Sequence, residues 1–217
     1  MKGLFIKDLK LIKMQKNFFL TIPIIAIGLA FGTGNFSFPL GFLPFVVSLF
    51  SLSTISYDEF DNGNAFLFTL PITRKEYVKE KYMLALFLGV IALLLGNLIT
   101  LGVAFLKKET ITVDILWISL AILSTVTVVL SVMLPFHLKY GAEKARIAII
   151  VTVGILFLAG AALAKIIKAL NFDTTFILVK LSELHVGVLI AALAVITALF
   201  VLLSMRISTK IMEKKEF

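Results

Sequence analysis

Asp58, Glu59 and Asp61 form the densest group of potential metal-binding or acid–base residues in the chain. Three carboxylates so close together bind calcium only when a loop adds further oxygens around a sharp glycine turn, and no such loop motif accompanies them. A solvated acidic face or a surface contact is the simpler reading. The two histidines, His137 and His185, fall at opposite ends of different apolar stretches, so they share no metal and each reads as an interface residue. There is no HExxH pair, no serine and histidine at one membrane depth, and no GxxxxGK[ST] phosphate loop. An enzyme working inside a membrane needs facing ionisable or nucleophilic groups, and the apolar stretches carry almost none. The chain is therefore expected to catalyse no reaction and to bind no metal or cofactor itself.

Two polar features remain. Asn97 and Thr100 lie within a long apolar run, where an interhelical hydrogen bond is the first reading and a place on a translocation path the second. The segment 57–82, YDEFDNGNAFLFTLPITRKEYVKEKY, is a polar island in an otherwise apolar region. Inside it, Thr73-Arg74-Lys75-Glu76 fits a capping box, in which the Thr73 hydroxyl accepts from the Glu76 amide and the Glu76 carboxylate accepts from the Thr73 amide. Ile72 and Tyr77 stand where a hydrophobic staple belongs, and Pro71 turns the chain before a short helix starts near Arg74. A firmly started helix at a membrane surface suits contact with a cytosolic partner.

The elements that must hold these groups follow from composition. Of 217 residues 60% are apolar and only 16% charged, and the mean hydropathy is +1.07, far from the values of soluble domains. This is the composition of an integral membrane protein. The net charge of +8 does not argue for nucleic acid, because the basic residues cluster at the ends of apolar stretches, where they orient the chain and attract anionic lipid. The absence of cysteine leaves no disulfide framework.

Residues 2–17 set five lysines among Phe5, Leu9 and Ile12, which recur on one helical face. That pattern predicts an interfacial elbow helix, with a solvated basic tail as the plainer alternative. The apolar run 18–31 offers some 21 Å of helix against roughly 30 Å of hydrocarbon, so the first span crosses only by extending over about 14–34. Further spans are expected over 38–56, 82–106, 115–137, 147–164 and 186–205, with an inner loop at 139–146 and a mixed polar connector over 169–185. The result is a single all-α domain, a polytopic membrane protein with an elbow helix and about six transmembrane helices. Of the 21 lysines and arginines, all but Lys107, Lys108, Lys165, Lys168 and Lys180 fall on the side holding both termini, the island and the 139–146 loop. By the positive-inside rule both termini are expected to be cytoplasmic.

With its opening MKGLFIKDLKL, its YDE…LFTLPITRKEYVKEKY island and this layout, the chain resembles the ABC-2 type permease subunits of ABC exporters over almost its whole length. The resemblance implies that the segment between spans two and three is a coupling helix. Thr73, Arg74, Lys75, Glu76 and Tyr77 would then sit in a cleft of a cytosolic ABC ATPase, with Arg74 and Lys75 as polar contacts. Plain positive-inside anchoring is the alternative for Arg74, Lys75, Lys79 and Lys81. The resemblance further implies external helices over Asn171–Glu183, and pairing with a second permease copy or a homologous partner. ATP and magnesium would be bound by the separate ATPase. The compact form is similar to small bacterial permeases for amphipathic peptides, such as phenol-soluble modulins and bacteriocins, which implies peptide export across the bacterial cell membrane. An ion-coupled secondary transporter and a non-transporting scaffold or immunity protein are the competing classes.

Overall fold

The computed structural model describes residues 2–60, 63–108, 114–169 and 185–216, all helices and short connections. Asp61, most of the 169–185 connector and many side chains of the 147–164 stretch lie outside the described residues.

Helix α1 (Lys2–Met14) meets α2 (Lys16–Gly32) at a 65° bend, so a separate helix stands where the sequence predicts the elbow. The 17 residues of α2 measure about 25 Å. Alone α2 is too short to cross, and it counts toward a span only as one half of the bent pair. Helix α3 (Phe38–Glu59) begins with Pro39 in its first turn, where no intrahelical donor is lost. A five-residue helix, α4 (Gly63–Leu67), precedes α5 (Arg74–Lys107).

The island had suggested a short helix separate from the third span. Instead α5 runs unbroken for 34 residues, about 51 Å, so its ends stand outside a hydrocarbon layer of roughly 30 Å. Once capped, the segment has neither proline nor glycine before Gly89, so nothing interrupts the helix. Helix α6 (Asp114–Ala169) also differs from expectation, because the 139–146 loop is reduced to a single break at Gly141, with φ 72° and ψ 175°. Only glycine adopts that backbone without strain, which lets the chain turn sharply in one residue. Helix α7 (Val186–Lys214) closes the chain, with the His185 Nδ1 accepting from the Gly187 amide at its start.

Four helices among the described residues are long and apolar enough to cross a membrane: Phe38–Glu59, Arg74–Lys107, Ile115–Ile147 and Val186–Lys214. The bent α1–α2 pair would make a fifth. The centre of the bundle is the α3–α5 pair. Gly96 makes that pairing close: a Cβ there would stand 2.9 Å from the Pro39 carbonyl oxygen. Around the pair lie two apolar clusters. One joins α2, α3 and α5 through Ala26, Leu43, Val47, Leu84 and Leu88. The other joins α1, α3, α5, α6 and α7 through Leu4, Ile55, Tyr77, Leu134 and Met212. The outward side of α7, including Val195, Leu199 and Leu203, is left exposed, as suits a surface solvated by lipid.

Candidate functional site

The segment that starts α5 folds as its residue types dictate. The Glu76 amide donates to Thr73 Oγ1 at 3.2 Å and the Thr73 amide donates to Glu76 Oε2 at 3.0 Å, a complete capping box. Ile72 packs against the cluster that contains Tyr77. The five residues expected to meet a partner then divide. Thr73 and Lys75 are exposed, while Arg74 and Glu76 are half-buried. Tyr77 is fully buried, with its ring edge-on to Phe68 and its hydroxyl donating to Asp58 Oδ2 at 3.0 Å. The reason is its fourth position in the helix, which a staple turns toward the core. Arg74 donates to the Met212 and Glu213 carbonyls at 2.6 and 2.9 Å, so its charge caps the end of α7.

Sequence reasoning missed what lies directly beneath. Lys81, with 0% exposure, donates to Asp8 Oδ2 at 2.5 Å and Thr54 Oγ1 at 3.0 Å, and its ammonium lies 2.8 Å from Asp58 Oδ2. Three acceptors surround its three N–H bonds. Lys7 pairs with Asp58 and stands 3.1 Å from Asp8. One buried ionic network thus ties the elbow helix to the end of α3 and the start of α5. A lone buried ammonium would be prohibitively desolvated, so these charges must fold together. The sequence offers Lys81 only membrane anchoring as an alternative role, yet it stands four residues after Tyr77 on the buried face of α5. Asp8, the lone acid of the elbow, was the other available signal.

The sequence reading also placed almost no ionisable groups in the spans. The network does not contradict that, because Lys7, Asp8, Asp58 and Lys81 all lie just outside the expected spans, at one end of the bundle. Further in, Asn97 fulfils the interhelical reading by accepting from the Ser119 hydroxyl of α6 at 3.0 Å. Thr100 is buried and its hydroxyl has no partner. Tyr82 joins Ser204 and Ser208 of α7 at 2.5 and 2.8 Å, a second polar tie that the sequence reading had not singled out.

The same end of the bundle gathers distant parts of the chain. Lys215 donates to Glu59 at 2.7 Å and to the Leu138 carbonyl at 3.1 Å, next to the break at Gly141. The elbow, the α3 end, the α5 start, the middle of α6 and the C-terminal residues therefore share one face. Phe60 and Phe66, each 72% exposed, stand beside them on the connection between α3 and α5. Among the described residues no group of three or more His, Asp or Glu is arranged to hold a metal.

Long apolar helices packed around a central pair, with charges gathered at one end, define a multi-pass helical membrane protein. More specifically, residues 3–213 match the family described as ABC-2 family transporter protein, and the chain belongs to that family. Its ABC-2 permeases are membrane subunits and are not themselves ATPases. No curated protein and no solved structure matches the chain.

Proposed function

We propose that this chain is the permease subunit of an ATP-driven exporter in a bacterial cell membrane, working as a dimer or with a homologous permease. Amphipathic or antimicrobial peptides are its proposed cargo. A separate ATPase would dock on the bundle end that carries α4 and the start of α5, which would face the cytoplasm together with both termini. The observation that carries this reading is the exposure of Phe60 and Phe66 on the connection that leads into α5, together with that of Thr73 and Lys75 at the foot of this unbroken 34-residue helix. Aromatic side chains in a polar rim are the usual anchors of a protein interface. A rigid α5 would carry displacement of that foot into the membrane without a hinge, as rocking of helix bundles requires. Asn97 and Thr100 are the proposed polar positions along the translocation path.

The buried carboxylates supply one observation in favour of an ion-coupled secondary transporter. Against it, Lys81 is only about 10 Å along α5 from Arg74, and coupling sites lie near the bilayer midplane.

The test is co-purification with the ATPase encoded beside this chain, followed by ATP hydrolysis in lipid nanodiscs with and without an amphipathic peptide. Phe66→Ala with Lys75→Glu is the informative variant, because Arg74 is committed to α7. Loss of association in the variant and peptide-stimulated hydrolysis in the unmodified complex are expected. An unmodified chain that binds no ATPase, yet moves peptide down a proton or sodium gradient, would overturn the reading.

A further inference from the structure

Four lysines meet at one end of the groove between α6 and α7. Lys139, Lys210, Lys214 and Lys215 line a cleft of about 450 Å³, with Ile207 and Ile211 as its remaining walls and no acid among them. Lys215 is committed elsewhere, because it donates to Glu59 at 2.7 Å and to the Leu138 carbonyl at 3.1 Å. Lys139, Lys210 and Lys214 are exposed, and among the described residues none of them forms an ion pair. Lys210 and Lys214 stand four apart on α7, where like charges repel. Lys139 joins them from α6, its ammonium 4.9 Å from the centre of the Tyr140 ring. Three unpaired ammoniums around one cleft make a place for an anion.

The groove does not end at the lysines. Through Lys139, Ile207 and Ile211 it continues into a second cleft of about 460 Å³, walled by Pro135, Phe136, Phe200 and Leu203. The two serine hydroxyls that line this second cleft are spent, since Ser131 donates to the Thr127 carbonyl and Ser204 to the Ser131 carbonyl. That part of the groove therefore asks for an apolar occupant. Phe200, Leu203 and Ile207 are exposed on the flank of the bundle, which lipid solvates. An occupant that fits both clefts has an anionic head at the lysines and an apolar chain between α6 and α7, and it arrives from the bilayer. An acidic segment of a cytosolic protein would match the first cleft and leave the second empty.

We propose that the α6–α7 groove binds an anionic phospholipid whose headgroup carries no amine, of the phosphatidylglycerol kind: its phosphate meets Lys139, Lys210 and Lys214, and an acyl chain lies along Phe136, Phe200 and Leu203. Basic pockets between membrane helices hold anionic headgroups in this way. A zwitterionic phospholipid brings its own ammonium into the lysine cluster and fits less well. The bound lipid ties α6, beside its break at Gly141, to the last turns of α7. The site does not depend on the ATPase or the cargo.

The test is native mass spectrometry of the chain released from nanodiscs made of equal parts phosphatidylglycerol, phosphatidylcholine and phosphatidylethanolamine. One lysine near a membrane surface strengthens the hold on an anionic lipid about five-fold, so three should favour phosphatidylglycerol over either zwitterionic lipid by about 100-fold. Lys210→Ala with Lys214→Ala should cut that advantage to about five-fold. Lys10→Ala with Lys13→Ala removes the same charge from exposed positions on α1 and should leave the advantage unchanged, which separates a site from general attraction. Leu203→Trp, which fills the apolar part from its exposed side, should lower retention with every lysine in place. Soluble glycerol phosphate, lacking an acyl chain, should not compete. Equal retention of the three lipids, as expected if the lysines serve an acidic protein segment, or equal losses from the two lysine pairs, would overturn the proposal. Competition by glycerol phosphate, or retention unchanged by Leu203→Trp, would overturn its lipid part.

Discussion

The guanidinium of Arg74 reaches the last turn of α7 and donates to the Met212 carbonyl at 2.6 Å. The foot of α5 and the end of α7 are thereby one mechanical unit, although 138 residues separate the two partners. A helix C-terminus leaves four carbonyls without intrahelical donors, and a cation there also opposes the helix dipole. Charge reversal at Arg74 would consequently disturb the fold before it tested any interface.

Arg74→Ala should destabilise the protein by about 1.5–3 kcal/mol, the range for hydrogen bonds from a charged donor. Lys75→Ala, on the exposed side of the same turn, should stay within about 0.5 kcal/mol. Thermal unfolding in nanodiscs separates the two. Amide exchange should locate the Arg74→Ala loss in the last turn of α7.

Lys81→Met leaves Asp8 and Asp58 buried with less countercharge. Breaking a buried ion pair on one side costs about 3–5 kcal/mol, enough to lower folded yield in the membrane sharply. Adding Asp8→Asn should restore part of the loss, because the second change removes one of the stranded charges. Equal instability of the single and double variants would show that Lys81 contributes through packing instead.

Tyr82→Phe removes a hydroxyl shared with Ser204 and Ser208 of α7. Hydrogen bonds between membrane helices average about 0.6 kcal/mol and reach about 1.7. A double-mutant cycle with Ser208→Ala should give a coupling energy in that range. A value of zero would mean that the α5–α7 contact is held by apolar packing alone.

Gly141→Ala is expected to cost about 1–3 kcal/mol, since its φ of 72° with ψ of 175° is a region that side chains avoid. The new Cβ would also stand 3.2 Å from Glu59 Oε2, beside the Glu59–Lys215 pair. Loss of that ion pair should appear as faster exchange or proteolysis at the C-terminal residues.

Much of the bundle end was legible before any coordinates. The capping box at Thr73 and Glu76 is a local device, made by residues three apart, and it forms as written. The separate helix before the first apolar run is legible for the same reason, since Phe5, Leu9 and Ile12 recur within one helix, Lys2–Met14. The fate of Arg74 and Tyr77 was not legible. Both were expected to meet a partner, yet one caps a helix far along the chain and the other is enclosed by α3, α4 and α6 residues of the same cluster.

Composition, hydropathy and the capping motif by themselves determined the membrane class, the helical fold and the start of α5, because these depend on solvent preference and on neighbours within a few residues. Only the tertiary structure decided that Lys81, Asp8 and Asp58 form one buried network and that the expected 139–146 loop narrows to a break at Gly141. A charge on a helix has the same sequence signature whether it meets water or a distant counter-ion. Its pairing depends on which helix faces lie together, a choice made by the packing of the whole bundle.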